Sequence, residues 1–214
     1  MLADDGIERS EGMLGFDWVT YKNDVRAANA DMQFTGLLPP DLDAIRDRFD
    51  MVEGLSGWDL NDTLRGDDSD TALLSAIDVP SGQNNALNSA EQISLVSGLQ
   101  ELLGAGVTTF SGGNIILGGG GSDIIEGRGG DDIIDGDAKL NVRLSIRENL
   151  DGTGLEIGTA DGMTTPIIGG IHAGKSLVEL MFNGTLNPGQ LQIVREIITD
   201  DTSGVDMAVF SDVQ

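Results

Sequence analysis

SGGNIILGGGGSDIIEGRGGDDIIDGD, running from Ser111 to Asp137, repeats at nine residues. The repeat reads G-G-x-G-x-D-x-U-x, where U is a large aliphatic residue. Gly118 to Glu126 fits it in full, and Gly127 to Asp135 departs only at the second glycine, where Arg128 stands. The nonamer before them, Thr109 to Leu117, keeps Gly112 and Ile116 but carries Asn114 in place of the aspartate. Gly136-Asp137 opens a fourth unit that does not continue. The glycines permit a left-handed backbone and close approach of carbonyls to a cation. The aspartates offer hard anionic oxygen, which suits calcium. The aliphatic two residues later belongs on a short strand and faces inward. A flexible Gly-rich linker has no use for Ile116, Ile125 and Ile134 at a fixed spacing. A phosphate-binding loop would need a Lys-Ser/Thr end or a GxGxxG between strand and helix, and neither is present.

The same spacing recurs upstream. Gly12 to Thr20 has the first and fourth glycines (Gly12, Gly15), Asp17 and Val19 in phase. Ala3 to Glu11 keeps only Gly6, with Glu8 at the aspartate position. Gly57 to Arg65 keeps Asp62 and Leu64, but Leu60 replaces the fourth glycine. Three clusters, 12–20, 57–65 and 109–137, are therefore separated by insertions at about 21–56 and 67–108. Stacked together, with alternation of sides preserved, they would line one flank with Asp17, Asn114 and Asp132 and the other with Asp62, Asp123 and Asp137. Within the insertions, Asp41 caps an expected short helix to Asp50 with Leu42, Ile45 and Phe49 on one face. Ser89 and Gln92 form a capping-box pair opening a second helix, with Ile93, Val96, Leu99 and Leu103 as its apolar stripe and Gly104 as its end. Trp18 reads as a core aromatic.

After Asp137 the texture changes. Leu140, Val142, Leu144 and Ile146 alternate with polar residues, a half-buried strand. A short strand near Leu155-Glu156-Ile157, a helix over 175–182, a turn at Asn187-Pro188-Gly189 and strands at 190–198 and 205–210 follow. Residues 138–214 are expected to form a β-rich cap, because an exposed end of stacked strands needs one.

Bulk composition bounds the partners. The 214-residue chain carries 36 acids against 12 bases, a formal charge of −24, which repels nucleic-acid phosphates and strains a compact state unless cations neutralise it. It has no cysteine, hence no disulfide and no thiolate metal site. No run of about 18 apolar residues spans a membrane. Met1-Leu2-Ala3-Asp4-Asp5 lacks the basic start and apolar stretch of a signal peptide. With His172 as the single histidine, in a glycine-rich loop, no Ser/His/Asp, Cys/His or zinc constellation can form. Paired carboxylates remain open as an enzymatic alternative.

The nonapeptide resembles the calcium-binding repeat of RTX (hemolysin-type) proteins. The resemblance extends along the chain, through ADDGIER, GMLGFDWVTYKNDVRAANADMQFTGLLPP, RDRFDMVEGLSGWDLNDTLRGDD, SGGNIILGGGGSDIIEGRGGDDIIDGDAKLNVRL, and NPGQLQIVREI before AVFS. In that order they are similar to large secreted bacterial proteins that join an animal-type haem peroxidase domain to RTX repeats. The resemblance implies a mainly β fold with short helices: a split RTX parallel β-roll over 1–137 with helical insertions, and a small C-terminal capping sheet over 138–214. Two nonamers would make one turn of the roll. Several Ca2+ ions would sit between each loop and the loop two nonamers on, held by Gly15, Asp17, Asp62, Gly112, Asn114, Gly119, Gly121, Asp123, Gly130, Asp132 and Asp137. It also implies type I secretion, an extracellular place, the rest of a parent polypeptide as partner, and a parent with peroxidase activity. That family's haem chemistry needs two histidines, so catalysis is not expected in this region. The expectation is a non-catalytic calcium-dependent structural module. The alternative is a ligand-binding or adhesin module for sugar or peptide built on a calcium-stabilised scaffold, its external ligand unknown.

Overall fold

The structure is a computed structural model and describes residues 1, 6–36, 39, 46–200 and 203–210. It is mainly β with short helices. The chain divides into two compact units, one made of Met1–Leu140 and Ile197–Gln214 and the other of Asn141–Glu196.

In the first unit most strands are three residues long. Those of the 109–135 region are β7 (Ile115–Leu117), β8 (Ile124–Glu126) and β9 (Ile133–Asp135), spaced by nine residues as the repeat requires. Successive strands do not pair with each other. β7 and β9 lie in one parallel sheet with β2 (Trp18–Thr20) and β5 (Gly54–Ser56), in the order β2-β5-β7-β9. β8 lies in a second parallel sheet with β3 (Asn29–Asp31), β6 (Thr63–Arg65) and β13 (Met207–Val209), in the order β13-β8-β6-β3. A parallel two-stranded pair, β1 (Arg9–Glu11) with β4 (Arg48–Asp50), completes the set. The three repeat clusters are thus brought together, and the chain alternates between the two four-stranded sheets.

Register places the repeat's aliphatic at the centre of each strand. Val19, Leu55, Ile116 and Ile134 are in line across one sheet, and Ala30, Leu64, Ile125 and Ala208 across the other. All of these except Ala208 pack in a single core, with Phe49, Val52, Tyr21 and Met32. Parallel strands usually need long crossovers. Here the glycine corners turn the chain from one sheet to the other within six residues, for example between Leu117 and Ile124.

Several expectations are corrected. The 21–56 stretch is not a simple insertion: it holds β3, β4 and β5. Residues 41–45 of the expected helix lie outside the described residues, and Arg48–Asp50 is a strand with Phe49 buried in the core. The expected helix from Ser89 is two short ones, α2 (Ala90–Ile93) and α3 (Leu99–Leu103), following α1 (Thr71–Leu74). The Ser89 cap is present, its hydroxyl accepting from Gln92 N. The first helix ends at its C-cap Ser94 and the second starts at its N-cap Gly98, which takes φ +86°, while Ile93, Val96 and Leu99 are all buried. Trp18 is buried, its ring lying over Gly54.

The second unit is built on a different period. β10 (Lys139–Arg147) carries the alternating stretch and runs between β11 (Glu156–Ala160) and β12 (Leu191–Ile198). Its pairing with β11 is antiparallel. Helix α4 (Leu177–Phe182) is capped by Ser176 and contributes Leu177 and Leu180 to a core with Ile146, Ala160, Ile167 and Leu186. Asn187 and Gln190 close a reciprocal capping box around Pro188. The boundary expected at 137/138 differs in one respect: β13, expected to belong with residues 138–198, pairs instead with β8 in the first unit.

Truncating Ile116 or Ile125 to alanine is expected to cost about 2–5 kcal/mol in denaturant unfolding. Ile124→Ala, at a position 43% exposed, is expected to stay within about 0.5 kcal/mol.

Candidate metal-binding corners

Each strand of the first unit is entered through a corner residue at the aspartate position of the repeat. These corner residues form rows, and their hydrogen bonding has a fixed sense. The backbone N–H of one donates to the side-chain carboxylate of the corner in the next strand of the sheet. In the row before β3, β6, β8 and β13, Ala28 N donates to Asp62 Oδ1 (2.7 Å), Asp62 N to Asp123 Oδ1 (2.7 Å) and Asp123 N to Asp206 Oδ1 (2.9 Å). In the row before β2, β5, β7 and β9, Asp17 N donates to Glu53 Oε2 (2.8 Å) and Asn114 N to Asp132 Oδ1 (2.7 Å). Glu8 N donates to Asp47 Oδ1 (3.0 Å) ahead of β1 and β4.

The flank assignment of the sequence therefore holds for Asp17, Asn114 and Asp132 and for Asp62 and Asp123. It fails for Asp137, which stands outside the row; its own N–H turns back to Asp135 Oδ1 (3.0 Å). Asp206 takes the place expected for Asp137. Glu8 holds the corner that the sequence placed at it, while Asp47, Glu53 and Asp206 escaped the sequence reading, and Ala28 holds a corner with no acid at all. Glu53 carries an extra methylene. Asp206 lies in Gly204-Val205-Asp206-Met207-Ala208, which keeps G-x-D-x-A, a signal weakened by the small alanine.

The glycines do two separate jobs. In three nonamers positions two and four have left-handed backbone: Gly119 (φ +97°) and Gly121 (φ +114°), Arg128 (+71°) and Gly130 (+95°), Met13 (+71°) and Gly15 (+110°); in the 57–65 and 109–117 nonamers they do not. Gly121 faces the Leu60 carbonyl, so replacing the fourth glycine with Leu60 leaves the stacking of the two loops intact. Gly112 and Gly130 likewise lie against each other, and Asp131 N donates to Gly112 O (2.8 Å). Position one is different. A Cβ on Gly57, Gly118, Gly127 or Gly136 would run into the carboxylate of Asp62, Asp123, Asp132 or Asp206 respectively. At Gly57 and Gly118 it would also meet a carbonyl of the next corner, from Gly118 and Gly136. These corners juxtapose one carboxylate oxygen and one main-chain carbonyl oxygen.

One buried oxygen in this row has no protein partner. Asp62 uses both, accepting from Trp58 N on Oδ2 (3.0 Å). Asp123 is 1% exposed, and its Oδ2 is buried without a hydrogen bond where Gly118 and the Gly136 carbonyl meet. A buried, unpaired carboxylate oxygen is costly. Among the described residues no three acidic or histidine side chains converge as a metal cluster. A cation here would draw on single carboxylates and main-chain carbonyls, an all-oxygen donor set of the kind calcium accepts. The residues fit calcium on that account.

Desolvation governs the acidity of the rows. Burial pushes Glu53 up to about 8 and Asp62 and Asp123 each up to about 6, and raises Asp17 and Asp132 as well. For Asp123 the N–H of Asp62 opposes the rise, while the charges of Asp62, Asp206 and Asp137 add to it. Neither a protein-family model nor a curated protein nor a solved structure matches the chain.

Raised carboxylate pKa values mean that the folded state binds protons more tightly than the unfolded one, so stability falls as pH rises through that window. In chelator, the folded fraction followed by circular dichroism is expected to increase as pH is lowered from 8 to 5, spanning the values of Glu53, Asp62 and Asp123. Glu53→Gln is expected to flatten the upper part of that change. Met13→Gly, at an exposed left-handed position, is expected to stabilise by about 1 kcal/mol, since that is what a Cβ costs there.

Proposed function

We propose that this chain is a non-catalytic, calcium-binding structural module, an RTX-type parallel β-roll whose corners bind several calcium ions. The observation that carries this reading is the Asp123 carboxylate: fully buried, with one oxygen unpaired and facing a main-chain carbonyl across a glycine that has no room for a side chain. The nine-residue alternation between two parallel sheets supports the roll. Asp17, Asp62, Asp123 and Asp132, with carbonyls of the glycine corners, would hold the ions. Bound calcium supplies positive charge where the chain has stacked desolvated carboxylates. The chain's own part is to present oxygens at spacings fixed by the sheet ladders.

The energetic consequence is linkage. A site held at a thousandfold its dissociation constant adds about 4 kcal/mol to stability, and a few such sites outweigh the repulsion of a chain at −24. Low calcium would then keep the chain loose and high calcium would fold it, which suits an extracellular protein exported in an unfolded state. By the same resemblance the module would belong to a larger secreted polypeptide with a peroxidase domain.

Calorimetric titration with calcium, with circular dichroism in parallel, tests the reading. Several ions bound, together with a gain of β signal that chelator reverses, is the expected result. A spectrum and a melting temperature indifferent to both calcium and chelator would overturn it. Asp123→Ala is expected to remove at least one ion from the stoichiometry.

A further inference from the structure

The glycine that opens each corner predicts where the next carboxylate must come from. Gly118 is followed five residues later by Asp123, Gly127 by Asp132 and Gly57 by Asp62, and each carboxylate lies over its own glycine. Like Gly66, which lies under Asn114, Gly136 breaks this rule. Five residues on stands Asn141, in the long strand β10, and the carboxylate over Gly136 belongs to Asp206. A segment 70 residues further along the chain has taken the place of the missing nonamer.

The substitution is complete in its geometry. β13 pairs parallel with β8 in the same register as β8 with β6, so Ala208 aligns with Ile125 and Leu64. Asp206 Oδ1 accepts from Asp123 N (2.9 Å), Met207 N donates to Asp123 O (2.8 Å), and Val205 N donates to Ser122 Oγ (3.0 Å). Gly204 sits so close to the Gly121 carbonyl that no Cβ fits. The buried Lys139, over the Trp58 ring at 4.5 Å, forms ion pairs with Asp59 and with Asp200 (2.6 Å), which tethers the approach to the segment.

We infer that residues 203–209 are a detached rung whose Asp206 completes a cation-binding corner with Asp123 and the Gly136 carbonyl, so that a divalent cation there fastens the C-terminal segment to the stack. The inference rests on the calcium reading above. The buried, unpaired Oδ2 of Asp123 points into this corner. The corner's carboxylates come from two segments, one of them a strand paired on a single side: β13 is three residues long at the end of its sheet, and Met207 is 58% exposed. Asp123 lies over Gly118 and Asp206 over Gly136, on successive rungs; without a cation their like charges repel, and with one they become ligands of a shared ion. The device is a latch that closes only when the preceding nonamers are formed.

Hydrogen exchange on the full chain, with calcium and with chelator, tests this in wild type and in Asp206→Asn, which keeps the Oδ1 acceptor and removes the charge. Calcium is expected to slow exchange at Met207 and Asp123 by about tenfold or more in wild type. In the variant that slowing is expected to be largely lost, while Asn114 and Ile133 on the opposite flank keep theirs. Full calcium protection of Met207 in the variant would overturn the latch and leave the calcium reading standing. Loss of protection on both flanks would also overturn it, by making Asp206 a general structural group. Indifference of both flanks to calcium in wild type would overturn the calcium reading and the latch together.

Discussion

A backbone N–H donated to the carboxylate of the neighbouring strand's corner is the interaction on which the first unit depends. Its strands are three residues long, too short to fix their own register by ladder bonds alone. The carboxylate bond sets the register before each strand begins, and it satisfies a buried donor at the tightest point of the turn. In the row before β3, β6, β8 and β13 the bonds run in one direction, so Asp62 and Asp123 each accept from one neighbour and donate to the next. Acidic residues at these positions are therefore structural whether or not they also bind a cation. The cost is desolvation of carboxylates in rows, visible in the raised pKa values of Glu53, Asp62 and Asp123. Few basic residues enter the rows to relieve it. Arg128 is committed to Asp31, at 2.6 and 2.9 Å, and to the Gly66 carbonyl, and Lys139 to Asp59 and Asp200.

The same corners explain the glycine content. At position one the objection to a side chain is space, since a carboxylate lies against the backbone. At positions two and four it is conformation. Position two holds Met13 and Arg128, the latter fixed by its Asp31 pairing, and position four holds Met51 at φ +51°. Position one is glycine at Gly12, Gly57, Gly118 and Gly127, where no rotamer relieves a clash between Cβ and a fixed oxygen, whereas the nonamers of Glu53 and Asn114 open on Arg48 and Thr109.

The unit formed by residues 141–196 obeys other rules. Its central strand alternates at period two, and its polar face is organised by Arg143, which donates to Glu196 (2.8 Å) and Glu156 (2.7 Å). Here acids are paired with bases in the ordinary way. The imbalance of charge thus lies in the first unit, which holds the corner rows.

The nine-residue spacing, the inward aliphatics and the acids at Asp17, Asp62, Asp123 and Asp132 were legible in the sequence because each repeat carries its own glycine and its own carboxylate, so that local chemistry repeats visibly. The strand of alternating residues after Lys139, the cap at Ser89 and the turn at Asn187-Pro188-Gly189 were legible for the same reason, being local. What tertiary structure alone decided is which segments fill a rung that has lost this signature. Phe49, Leu55 and Ala30 qualify by pointing into a core already shaped by Ile116, Ile125 and Leu64, and Glu53 by reaching a free N–H on Asp17. Asp206 qualifies by meeting the glycine at 136 that its own neighbours in sequence leave uncovered. A rung is defined by the edge it completes, and that edge exists only once the chain has folded.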